Sequence, residues 1–244
     1  MQGETRFSTV LKAALLAGLV AGLLVAGFHF AITEPVIEQA IAIEEAASHS
    51  AEPAHAPGVS RDVQRAGLFL GYVIYGLSWA LLFAVAFQLL QRRVPSTTAA
   101  RLSLLLALAA YWSMALLPFL KYPANPPGVG DPETIAYRQG LYLALLVLGV
   151  AVTVAALGVG KWIRRAGHAS WAPWVVGVST AVLGGFVLVG LMPSNTDAVE
   201  MPAWIVSSFR TLSLVGSTLF WLILGTAFAI LVRRFDAAPA RGAH

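Results

Sequence analysis

Charge is scarce in this chain of 244 residues: only 11% of positions are Asp, Glu, Lys or Arg, against roughly a quarter in an ordinary soluble domain. Hydrophobic residues make up 58%, so water is not its main solvent. Cysteine is absent, which excludes disulfides and thiolate metal ligation and leaves the redox compartment unread. No G-x-x-x-x-G-K-[ST] segment is present, so the phosphate-cradling loop of ATP-driven machines is missing. Neither G-x-S-x-G nor H-E-x-x-H occurs, which removes the standard serine and zinc hydrolase signatures. The basic residues form no patch in a nucleic-acid-binding context, so no nucleic-acid partner is expected.

What is present is six apolar runs, about residues 9–32, 66–90, 102–120, 139–160, 171–192 and 204–232. Each approaches or exceeds the roughly 20 residues a helix needs to cross a bilayer core. Backbone in lipid must satisfy its own hydrogen bonds, so the expected fold is all-α, a polytopic transmembrane bundle forming one membrane domain over residues 1–244. The first run is longer than the roughly 7–15-residue core of a signal peptide, so it reads as a retained span. With both termini cytoplasmic, eleven of sixteen basic residues lie inside and ten of twelve acidic residues outside, the arrangement the positive-inside rule selects. The expected location is the plasma (inner) membrane, multi-pass, with outer loops at 33–65, 121–138 and 193–203.

The spans read as three tandem hairpins. The return helices open with RAGLFLG at Arg65, RQGLYLA at Arg138 and RTLSLVG at Arg210, spaced 73 and 72 residues apart. Two outward helices exit through P-x-N, at Pro123 and Pro193. A fixed period of this kind points to an internal repeat, although an arginine at a span end also serves as a plain interfacial anchor. Gly18-x-x-x-Gly22, Gly67-x-x-x-Gly71 and the Gly177, Ala181, Gly185 series are expected helix contacts, since small residues let backbones approach. Tyr72, Tyr75 and most tryptophans read as interfacial aromatics.

The polar residues are few. Between the interfaces no Asp, Glu, Lys or Arg occurs, only His29, hydroxyls such as Ser113, Thr153, Thr180 and Thr218, and Met114 and Met192, which argues against a self-contained proton-coupled pump. His29, Glu34, Glu38, Glu44, Glu45, His49, Glu52 and His55 supply imidazole and carboxylate, donors suited to borderline divalent cations. Glu34, Glu38 and Glu45 can share a helical face, yet the spacing fits no tight metal motif, and residues 44–55 read first as a solvated acidic loop. His29 reads either as a functional intramembrane group or as a hydrogen-bonding contact between helices. In LPFLKYPANPPGVGDPET, residues 117–134, Pro118, Pro123, Pro126 and Pro127 stiffen the exit from the third span, and Asp131 before Pro132 predicts a helix start with Glu133 in its first turn. Such a loop can hold Asn125, Asp131 and Glu133 as a cation vestibule, or simply brace the bundle.

These segments carry a resemblance. LLAGLVAGL followed by Glu34-Pro35, the central FLKYPANPPGVGDPET, and the late helix from Arg210 to WLILGTAFAIL are together similar to the CbtA family of probable cobalt transporter subunits, over nearly the whole chain. The resemblance implies Co²⁺ uptake associated with cobalamin biosynthesis, without enzymatic activity or a resident cofactor, in partnership with CbtB, a small single-span subunit rich in histidine. The family is usually described with five spans, whereas six are counted here. The motif carries over to Glu34, Pro35, Lys121, Tyr122, Asn125, Pro126, Asp131, Pro132, Glu133 and Arg210. On this reading His29, Glu34, Asn125, Asp131 and Glu133 are the candidate metal-binding residues. Pro35, Lys121, Tyr122, Pro126, Arg65, Arg138 and Arg210 are structural or gating, with Lys121 expected to pair with Asp131 or Glu133. His49 and His55 are poor candidates, lying in a loop free to vary. A non-transporting membrane scaffold and, behind it, a lipid-modifying enzyme using the outer acids as acid and base are the competing functions.

Overall fold

The computed structural model describes residues 5–48, 60–94, 97–195, 197 and 199–237. His49, Glu52 and His55 therefore lie outside the described residues. The described chain is all-helical, with six helical segments long and apolar enough to cross a membrane: Phe7–Ala46, Arg61–Gln91, Ala99–Lys121, Pro132–Arg165, Ala172–Leu191 and Ala203–Asp236. It divides into two compact units, one of residues 1–108 with 203–244, the other of residues 109–202.

The first unit is organised around α1 (Phe7–Phe28), which packs against α3 (Arg61–Gln91) and α8 (Ala203–Ala237). The cause is legible residue by residue. Ala13, Ala14, Ala17, Gly18, Ala21, Gly22, Val25 and Ala26 are all buried, so α1 presents small side chains at helical spacing to both neighbours. A Cβ at Gly18 would collide with the Gly76 carbonyl, and one at Gly22 with the Tyr72 carbonyl. Around this seam α3 and α8 meet through rings, with centroids of Tyr75 and Phe220 at 4.9 Å, Trp79 and Trp221 at 5.3 Å, and Phe87 and Phe228 at 4.9 Å, all edge-on. Edge-on pairs of this kind each add about 0.5–1.5 kcal/mol beyond their buried area. In lipid, where burying apolar surface between helices gains little, close backbone approach and ring contacts are the principal attraction.

Three expectations are corrected here. Gly67 and Gly71 have nothing within 4 Å of a built Cβ, so α3 approaches α1 through Gly76 instead. Tyr72 is no interfacial anchor, because its ring stacks on His29 at 5.2 Å. The expected loop 33–65 is largely helix: α1 continues through a π turn, His29–Thr33, into α2 (Glu34–Ser48), and α3 already begins at Arg61.

The second unit contains the end of α4 (Ala99–Tyr111), a second π turn (Trp112–Leu116), the short α5 (Leu117–Lys121), a 3-10 turn (Pro132–Thr134), α6 (Ile135–Arg165) and α7 (Ala172–Leu191). α6 and α7 pack closely, with Gly160 set against the Pro173 carbonyl and Gly177 against the Ala156 carbonyl. Gly185 makes room for the Trp112 indole, as the small-residue series on α7 anticipates. The hydroxyls expected in the membrane interior mostly bond back to their own helix: Ser113 to Ala109, Thr153 to Gly149, Thr180 to Val176 and Thr218 to Leu214. These bonds satisfy them locally, so they are engaged rather than displayed as ion ligands.

Candidate functional site

Both π turns end two residues before a proline, at Thr33-Glu34-Pro35 and Leu116-Leu117-Pro118. Proline has no N–H to donate and its ring crowds the carbonyl four residues back, so the helix inserts one residue and re-forms as i→i+5 bonding. The amide of Glu34 accordingly donates to the His29 carbonyl, and that of Leu117 to the Trp112 carbonyl.

In the first unit the π turn and its flank hold His29, Thr33 and Glu34, all three buried. His29 Nδ1 and Thr33 Oγ1 are hydrogen-bonded at 2.8 Å. The imidazole is stacked on Tyr72 and meets Phe28 edge-on at 5.1 Å, and its Nε2 edge faces Gly216 of α8, where a Cβ would strike it. The imidazole is thus held in one orientation by a hydrogen bond, two rings and a missing side chain.

Glu34 is engaged differently. Its Oε1 accepts from Arg61 Nη2 at 2.6 Å and lies 3.2 Å from Arg65 Nε, while Arg65 also pairs with Glu38. Two carboxylates four residues apart on α2 therefore meet two guanidiniums four residues apart on α3, and the four charges cancel. The Glu34 side chain is 9% exposed and the arginines about a third, so this is a part-buried network. Arg65 is more than an interfacial anchor: it joins two acids. Arg61 is the partner sequence reasoning missed, although its position four residues before Arg65 places it on the same face. Glu45 and Arg210 also have partners of their own.

In the second unit the central motif packs against Pro193, Ser194 and Asp197. Asp131 is the N-cap of the 3-10 turn, its Oδ1 accepting from the Glu133 amide at 2.8 Å, as the Asp-Pro-Glu pattern predicts. The organising residue, unanticipated from sequence, is Asp197. Its Oδ2 accepts from Thr134 Oγ1 at 2.8 Å and from the Asp131 amide at 3.3 Å, and lies 3.1 Å from Arg138 Nε. Arg138 Nη2 also donates to the Asp131 carbonyl at 3.1 Å, with its guanidinium lying over Gly130, whose φ of +99° only glycine adopts easily. Tyr122 donates to the Pro193 carbonyl at 2.6 Å; burial and the neighbouring Tyr137 raise its pKa, so it stays a neutral donor. Lys121 reaches Ser194 Oγ at 3.4 Å rather than either expected carboxylate, Asp131 or Glu133. The side chains of Asp131 and Glu133 are exposed, Pro126 is buried, and Asn125 is half-buried with a partner.

Among the described residues no three His, Asp or Glu side chains gather into a ready-made metal cage. The chemistry on display is one oriented imidazole, one carboxylate held by two arginines, and in the second unit a pair of exposed acids.

A family model described as probable cobalt transporter subunit (CbtA) matches residues 7–233. No curated protein and no solved structure shows significant similarity to the chain.

Proposed function

The chain belongs to the CbtA family of probable cobalt transporter subunits, and from that premise we propose that it carries Co²⁺ inward across the plasma membrane, with both termini cytoplasmic, in support of cobalamin biosynthesis. The observation that supports the mechanism is the π turn that joins buried His29 to buried Glu34. Asp131 and Glu133 attract the hydrated ion electrostatically, and Asn125 offers it a neutral amide oxygen. In the first unit the donors for the ion are the His29 imidazole and the carboxylate of Glu34.

Glu34 cannot take a divalent ion while two guanidiniums occupy it, so Arg61 and Arg65 act as a gate whose ion pairs exchange with the cargo. Imidazole and carboxylate are two donors, and a first-row divalent ion takes roughly four to six. Water and CbtB, the single-span partner, complete the set.

Radioactive cobalt uptake in cells expressing both subunits tests this reading. His29→Ala and Asp131→Asn should each lower uptake by about ten-fold or more, the loss of one ligand or attracting charge in a low-dielectric path; unchanged uptake in both removes the site assignment. The back-bonded hydroxyls of the bundle favour one competing reading, a scaffold for another transporter. Liposomes holding the purified chain and its partner that admit no divalent ion would select the scaffold.

A further inference from the structure

The span ends joining α6 to α7 carry a feature that cation uptake does not use. Arg164 and Arg165 stand in the last turn of α6 and Lys161 just before it, all exposed, and no acidic residue occurs between Glu133 and Asp197 to offset them. Among the described residues no ion pair involves these three cations. Trp162 and Trp171 are 65% and 64% exposed, well beyond what packing within the unit requires. Arg164 lies 5.8 Å above the ring centre of Trp174, a cation–π contact that ties the end of α6 to the start of α7.

The tip is built rather than loose. Gly160 brings α6 against the Pro173 carbonyl, Gly167 turns the chain at φ +78°, and the Ala166 and Gly167 amides close the α6 terminus on Trp162 and Arg164 carbonyls. Because α6 and α7 are both long and apolar enough to span, their junction lies at the level of the lipid headgroups. Indoles with one apolar body and one N–H suit that depth, and cations there meet phosphate.

We infer that the α6–α7 tip, Lys161 to Trp174, is a binding surface for anionic phospholipid headgroups, with Lys161 and Arg165 contacting phosphate and Trp162 and Trp171 seated among the acyl-chain ends. Charge complementarity selects the lipid: three uncompensated cations on a fixed two-helix tip distinguish a net-negative headgroup from a zwitterionic one. The assignment is independent of what the protein transports.

The test uses the full chain in nanodiscs of equal phosphatidylglycerol and phosphatidylcholine, with retained lipids counted by native mass spectrometry. The wild type should retain phosphatidylglycerol preferentially. The K161Q/R164Q/R165Q variant should lose that preference by on the order of five-fold per cation, whereas R92Q/R93Q, which alters another basic span end, should keep most of it. Wild-type preference in the triple variant, or equal loss in both variants, overturns the inference. A reading that does not depend on that variant folding is tryptophan quenching by bromine-labelled lipid. Labelled phosphatidylglycerol should quench the wild type more than labelled phosphatidylcholine, and the difference should shrink in W162F/W171F; equal quenching by the two lipids also overturns it.

Discussion

The amide of Glu34 donates to the carbonyl of His29, five residues back, and this one displaced hydrogen bond decides what the first unit can do. It rotates every later residue of the helix by the width of one inserted residue. Glu34 and Glu38 are thereby turned onto Arg61 and Arg65, while His29 stays against Tyr72 and Gly216.

Pro35 is the residue that imposes the insertion, so Pro35→Ala should let the turn revert to α and swing Glu34 away from α3. The absence of native cysteine makes a clean test possible. A Glu34→Cys, Arg61→Cys pair should cross-link readily with Pro35 present and several-fold less in the Pro35→Ala background; equal cross-linking would show that tertiary contacts, rather than proline, hold the π turn.

Glycine contacts should separate sharply. Gly76→Ala pushes a methyl group onto the Gly18 carbonyl, backbone that has nowhere to move, and should cost about 1–3 kcal/mol, the usual penalty of overpacking. Gly71→Ala meets nothing within 4 Å and should be neutral or slightly stabilising. Thermal melting followed by fluorescence-detected size exclusion distinguishes them.

The Glu34 network should respond non-additively. Glu34→Gln leaves two guanidiniums facing each other and should destabilise by about 1–3 kcal/mol, a part-buried version of breaking a charged pair. Adding Arg61→Gln should recover part of that loss. A double-mutant cycle with a coupling below about 0.5 kcal/mol would reduce the network to a surface pair.

Asp197 should control the order of the central motif. Asp197→Ala removes the carboxylate that accepts from Thr134 and the Asp131 amide and pairs with Arg138, and should raise hydrogen exchange in residues 131–138 by about ten-fold or more, the loss of roughly 1.4 kcal/mol of local protection. Arg138→Gln should have a similar but smaller effect, and the two together should be less than additive.

Composition and hydropathy determine the six spans and the all-helical class, because a backbone in lipid has no alternative to bonding itself. Local chemistry is equally legible where it acts within a few residues: Asp131 caps the turn that Pro132 and Glu133 announce, and Gly18 and Gly22 mark the face of α1 that touches a neighbour. What the sequence leaves open is every choice made between distant segments. Gly67-x-x-x-Gly71 and Gly76 are chemically the same signal, and only the approach of α1 selects the second. Lys121 has acids ten and twelve residues away but binds Ser194, and Asp197 is an ordinary loop acid until the fold brings Thr134 and Arg138 to it. Hydrogen bonds and van der Waals contacts act over a few ångströms, so partners separated by sixty or more residues are fixed by packing, whereas spans and caps are fixed by the chain's own neighbours.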